Sequence, residues 1–113
     1  MEKMNVKPAT GKLGVLCVGL GAVTSTFMTG VLMARKGLAK PVGSMTQYDK
    51  MRVGRGENKK YLHYGEIVPL ATLDDIVFGA WDVYPANAYE SAVNAEVLQE
   101  KDILPVKEEL EKI

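Results

Sequence analysis

An uncharged run from Leu13 to Ala34, held between Lys12 and Arg35, dominates the first third of the chain. It divides at Gly19-Leu20-Gly21. The part before the glycines, LGVLCV (13–18), is short and continuously apolar, the pattern of a strand buried on both faces. Beyond them, Val23, Phe27, Val31 and Ala34 recur at helical spacing, with Met28 and Leu32 beside them. That periodicity predicts a helix from Ala22. Arg35 and Lys36 suit the negative end of its dipole, and Gly37 is placed to end it. Residues 41–65 are polar and turn-rich, and MRVGRGENKKYLHY (51–64) reads as a hairpin with its tip at Gly54 to Lys60. Glu66 to Leu70 and Ile76 to Phe78 are the next strand candidates, although Pro69 restricts the first to an edge or to no strand at all. Thr72 or Asp74 is expected to cap the turn between them. Residues 87–99 predict a helix with Asn87 as N-cap and Glu90 completing a capping box. Ala88, Ala92, Ala95 and Leu98 would face inward. Pro105 opens a last helical stretch, VKEELEKI.

The order is therefore strand, helix, irregular insert, strand, helix, helix, which predicts an α/β fold with a parallel sheet. Strand, glycine turn and helix open a Rossmann-like NAD(P)-binding fold. Such a fold needs two halves of this kind, and the chain supplies one, so a partial domain is expected. Residues 1–10 read as an N-terminal tail and 11–113 as the N-terminal part of that domain.

Composition narrows the classes. At 113 residues, 47% hydrophobic and 25% charged, the chain resembles an ordinary globular domain, and one domain is the most it can form. Fourteen basic side chains balance fourteen acidic ones, so there is no electrostatic case for nucleic acid. A single Cys and a single His exclude an internal disulfide and a usual Cys/His zinc site. The Leu13–Ala34 run has the length of a membrane-spanning helix, about 20 residues. Glycines, serine and threonines at 19–26 and the lack of flanking Trp or Tyr count against that reading. The basic cluster Arg52, Arg55, Lys59 and Lys60 reads most simply as a solvated loop, and His63 as a surface or packing residue.

The glycine turn carries the candidate chemistry. Gly19 would permit the tight turn and Gly21 the close approach of a pyrophosphate, with the helix N-terminus offering free N–H groups. The third glycine of the usual G-x-G-x-x-G is Thr24 here. The acid expected about 20 residues further on, for the ribose, is missing: residues 42–47 read VGSMTQ. Asp82, in a loop after an apolar strand end, is the acid best placed to reach a ribose instead, or else to orient the next helix. A glycine turn with no ligand, an NAD-binding module of another oxidoreductase, and a small membrane protein are the competing readings.

GLGAVTST (19–26), GSMTQ (43–47) and DDIVFGAWDVYPANAYESA (74–92) together resemble the inositol-3-phosphate synthase family, also called myo-inositol-1-phosphate synthase. The resemblance runs from about residue 11 to residue 99. It implies NAD as cofactor and glucose 6-phosphate as substrate of the full-length enzyme. The implied stages are oxidation at C5 of the open-chain sugar, intramolecular aldol closure and reduction, with no net redox change. Carried over by position, Gly19, Leu20, Gly21, Ala22, Val23 and Thr24 would cradle the pyrophosphate and Asp82 would contact the adenosine ribose. Gly79-Ala80-Trp81-Asp82 departs mildly from the family's Gly-Gly-Trp-Asp, and the glycine loop is the shorter bacterial form. The resemblance further implies a cytoplasmic homo-oligomer in inositol and phospholipid biosynthesis, with no membrane and no nucleic-acid partner. Family members are much longer, so the chain is expected to be an N-terminal fragment, without catalytic residues and inactive alone.

Overall fold

The computed structural model describes Lys7 and residues 10–113; most of the expected tail, 1–10, lies outside these residues. The run before the glycines forms β1 (Leu13–Val18), and the run after them forms α1 (Ala22–Arg35). Gly37, with φ at +71°, ends α1. Its N–H donates to the Ala34 carbonyl and that of Leu38 to the Met33 carbonyl, the paired bonds of a Schellman end.

The insert comes next. It holds one turn of helix, α2 (Met45–Tyr48), the antiparallel hairpin of β2 (Lys50–Val53) and β3 (Lys60–His63), and a second turn, α3 (Tyr64–Ile67). Gly54 sits at the hairpin tip with φ at +88°, and a Cβ there would lie 2.6 Å from the Asn58 carbonyl oxygen. Glycine is therefore required at this turn. The strand considered for Glu66 to Leu70 is absent. The Glu66 carboxylate accepts the His63 N–H at 2.8 Å and closes a helical turn instead, which Pro69 cannot extend.

A short turn at Leu73–Asp75, begun by Thr72, leads into β4 (Ile76–Trp81), longer than the Ile76–Phe78 core expected. β4 pairs in parallel with β1, from Leu13 opposite Ile76 to Val18 opposite Trp81. α4 (Ala88–Ala95) follows, and the capping box holds: Glu90 N–H donates to Asn87 Oδ1 at 2.9 Å. α4 stops short of the expected residue 99 because Glu96 turns left-handed, with φ at +56°. The last segment is broken rather than continuous: α5 (Glu100–Ile103), a tight turn over Leu104–Val106 that contains Pro105, and α6 (Lys107–Glu111).

α1, α4 and α6 close over one face of the β1–β4 sheet. Met28 and Leu32 of α1, Ala88 and Ala92 of α4, and Ile103, Val106 and Leu110 form the core. The buried face of α1 takes in only part of that recurring set. Ser25, Met28, Thr29, Val31 and Leu32 are buried, whereas Val23 is 84% exposed. Two hydroxyls share that face. Thr29 Oγ1 donates to the Ser25 carbonyl at 2.7 Å and Ser25 Oγ to the Ala22 carbonyl at 3.3 Å. Each polar group is satisfied within its own helix, so both sit in the core at little cost. Phe27 is half-exposed and still meets Phe78 edge-to-face, with ring centroids 5.5 Å apart.

Long side chains tie the ends of α1 to the rest. The Arg35 guanidinium donates to the Leu73 and Ile76 carbonyls and lies over the Phe78 ring. Lys36 donates to the Pro105 carbonyl and pairs with Glu109 at 2.7 Å. Among the described residues, no helix is long and apolar enough to cross a membrane. The run that raised that reading is a strand plus a helix.

Candidate functional site: the glycine turn and its cleft

The site grows from the turn between β1 and α1. Gly19 has φ at +96°, a conformation side chains avoid, and its N–H donates to the Trp81 carbonyl at 2.7 Å. The chain then turns and Gly21 becomes the N-cap of α1, contributing no side chain. A Cβ on Gly21 would meet nothing within 4 Å, so the loop faces open space. No acid stands in the first turn of α1. Its first N–H groups and the positive end of its dipole are therefore free to meet an anion.

Asp82 stands beside this turn, at the carboxyl end of β4. One carboxylate oxygen accepts the Leu20 N–H at 2.8 Å and the other accepts the Tyr84 N–H at 3.1 Å. The Leu20 bond is the largest influence holding the Asp82 carboxyl below its ordinary value, followed by that of Tyr84, against a weaker opposing effect of burial. Asp82 therefore stays ionised, and each oxygen keeps a free lone pair for a further donor. It does not cap α4, a role Asn87 fills.

A cleft of about 270 Å³ opens between these parts. Leu20, Gly21 and Ala22 line one wall, with Asp82 and Tyr84 beside them. The opposite wall is α4, through Ser91, Asn94 and Ala95. The structure thus brings Leu20, Gly21, Ala22 and Asp82 together. Gly19 shapes the loop from behind, and Val23 and Thr24 lie further along α1, outside the cleft lining. The α4 wall was missed in the sequence. The capping box sets the register of α4 and places Ser91, Asn94 and Ala95 on one side of it, but what that side faces depends on where α4 packs. The basic residues Arg52, Arg55, Lys59 and Lys60 belong to the hairpin and do not line the cleft. A larger groove of about 440 Å³, bordered by Tyr89, Val93 and Leu98, lies on the other side of α4, away from the glycine turn. No cluster of His, Cys, Asp or Glu suited to a metal occurs among the described residues.

A parallel strand pair joined through a glycine turn and a helix, with an acid at the end of the second strand, defines a Rossmann-like dinucleotide-binding domain. Comparison with known proteins makes the assignment specific. A family model for an NAD-binding domain, described as myo-inositol-1-phosphate synthase, matches residues 13–113. The chain belongs to the inositol-3-phosphate synthase family and corresponds to its NAD-binding region. It is 56% identical over 112 residues to inositol-3-phosphate synthase 1 of Bacteroides thetaiotaomicron, covering 98% of this chain and 25% of the relative. An Arabidopsis thaliana inositol-3-phosphate synthase isozyme is 32% identical, over 88% of this chain and 22% of its own length. The crystal structure of inositol-3-phosphate synthase from Caenorhabditis elegans superimposes with a TM-score of 0.79 at 26% identity, over 95% of this chain and 23% of that one. The chain spans about a quarter of the length of the relatives it matches.

Proposed function

We propose that this chain supplies the adenosine and pyrophosphate end of the NAD site of an inositol-3-phosphate synthase. The observation that carries the reading is the bond from Leu20 N–H to the Asp82 carboxylate, which joins the glycine turn to the acid at the end of β4. Gly19, Leu20, Gly21, Ala22, Val23 and Thr24 present the loop and the first turn of α1 to the pyrophosphate. Asp82 accepts a hydrogen bond from the adenosine ribose. A 2′-phosphate in that position would meet the Asp82 charge, which favours NAD over NADP. Bound there, NAD supplies reversible hydride transfer, and the protein's share is to position it.

The whole enzyme would convert glucose 6-phosphate into an inositol phosphate by oxidation, ring closure and reduction. The groups that act on the sugar belong to the remaining three quarters of the family's length. The 113-residue chain is accordingly expected to make no inositol phosphate alone. A cytoplasmic homo-oligomer, as the family resemblance implies, completes the proposal.

The test is NAD titration of the chain, followed by its amide NMR spectrum. Shifts confined to residues 19–26 and the surroundings of Asp82 support the reading. Gly21→Leu fills the space in front of the loop and should abolish those shifts, and Asp82→Ala should weaken binding about tenfold or more. Unchanged affinity in a folded Gly21→Leu chain would refute the pyrophosphate contact.

A further inference from the structure

The cleft has a wall that neither the glycine motif nor the acid accounts for. α4 reaches the glycine turn because two alanines, Ala88 and Ala92, are fully or almost fully buried in the core and let it lie close to α1. Its register is set at its first turn, where Asn87 and Glu90 bond reciprocally: Asn87 N–H to Glu90 Oε2 at 3.3 Å and Glu90 N–H to Asn87 Oδ1 at 2.9 Å. With that end fixed, the successive 100° steps of a helix set the direction of every later side chain. Ser91 and Asn94, three residues apart, share a side. That side faces the cleft that holds Leu20, Gly21 and Asp82. Tyr89 and Val93 fall on the opposite side and line the other groove.

The chemistry of the two residues is distinct from that of their neighbours. α4 spends its side-chain hydrogen bonds at its start, on the Asn87–Glu90 box, and Ser91 and Asn94 take no part in it. A serine hydroxyl both donates and accepts, and an asparagine amide offers two donors and one acceptor. On the cleft side they stand across from an ionised carboxylate that can only accept. A ribose presents vicinal hydroxyls, each able to donate to one group and accept from another. Asp82 alone can satisfy the donating half of such a pair. The accepting half needs donors, and in this cleft Ser91 and Asn94 are the side chains of α4 that carry them.

We propose that Ser91 and Asn94 form the second polar wall of the dinucleotide cleft, donating hydrogen bonds to the adenosine ribose whose hydroxyls donate to Asp82. This rests on the NAD reading and extends it to α4. The two walls then divide the labour. The glycine turn recognises the pyrophosphate through backbone, and the α4 wall helps recognise the sugar through side chains.

The experiment compares binding of NAD and of AMP to the unmodified chain and to Ser91→Ala, Ser91→Thr and Asn94→Leu, each checked for an intact amide spectrum and unchanged thermal midpoint. The proposal expects Ser91→Ala and Asn94→Leu each to weaken NAD about fivefold, with AMP weakened by the same factor because the contacts lie in the adenosine half. Ser91→Thr keeps the hydroxyl and should bind like the unmodified chain. A purely structural role would not produce matched losses for NAD and AMP together with rescue by threonine. If Gly21→Leu abolishes NAD binding while the folded Ser91→Ala and Asn94→Leu chains bind normally, the α4 wall is refuted and the NAD reading stands. Weakened NAD with unchanged AMP would also refute it, since the contact would then lie in the nicotinamide half. If the unmodified chain ignores NAD at millimolar concentration, the NAD reading of this chain fails, and the α4 wall fails with it.

Discussion

On one face of the β1–β4 sheet, Cys17, Phe78 and Ala80 pack against the core formed by α1, α4 and α6. On the other, Leu16 is 66% exposed, Val18 88%, Val77 53% and Trp81 61%. Both faces are apolar, yet only one is covered. A strand meant to face water on one side alternates apolar and polar residues, and β1 and β4 do not. These strands are therefore built for cover on both sides, and this segment carries the cover for one. The relatives, four times longer, have ample chain for the second.

Three changes would break or sharpen this contrast. The largest effect is expected on the closed side. Leu110→Ala removes a fully buried side chain from the centre of the core and should cost about 2–5 kcal/mol in urea unfolding. A loss below 1 kcal/mol, on the order of an exposed site, would show that the closed side is not tightly packed.

The second concerns acid. Glu109 is held below its ordinary value first by its hydrogen bond from Lys36, and Asp82 first by the Leu20 N–H. Groups depressed on folding add stability that is complete above the unfolded carboxylate range of about 4 and is lost as pH falls through the folded values. The thermal midpoint should therefore drop as pH is lowered from about 5 to about 3, and Glu109→Gln should shallow that drop. Asp82 is exposed and the Glu109 side chain is 34% exposed, so solvent screens both and the effect is expected to be smaller than that of Leu110→Ala. A pH-independent midpoint would count against both contacts.

The smallest effect is expected on the open side. Replacing Leu16 or Val18 with Ser should change the chain's unfolding free energy by no more than about 0.5 kcal/mol, because these side chains are already in water. A loss of more than 1 kcal/mol in urea would mean that the open face is covered in solution.

Much of the fold was legible in local pattern. The glycine-bounded apolar run specified β1, the Asn87–Glu90 spacing specified the start of α4, and the glycine-rich tip specified the hairpin. What was misread came from groups that periodicity weighs wrongly. Ser25 and Thr29 count as polar in any stripe and yet are buried, because each bonds a carbonyl of its own helix. They share the buried face of α1 with Met28, Val31 and Leu32. The turn at Tyr64–Ile67 depends on one side-chain bond from Glu66, which an apolar count over 66–70 does not register. In the candidate site, the loop and Asp82 are the residues that sequence proposes. Their direct contact through Leu20 and the α4 wall could not be read from it, since both depend on how β4 and α4 are placed against β1 and α1.

The bond between Leu20 and Asp82 spans 62 positions of the chain. Hairpins of the β2–β3 kind close locally, in about 1–10 μs. Parallel pairing across so long a connection must first overcome the entropy of closing a large loop, and is slow for that reason. The glycine turn is therefore expected to take its final shape late, when β4 docks beside β1. Until then the turn lacks its bond to Asp82, and on the function proposed above a newly made chain would be blind to a dinucleotide however much of its helix and hairpin had already formed.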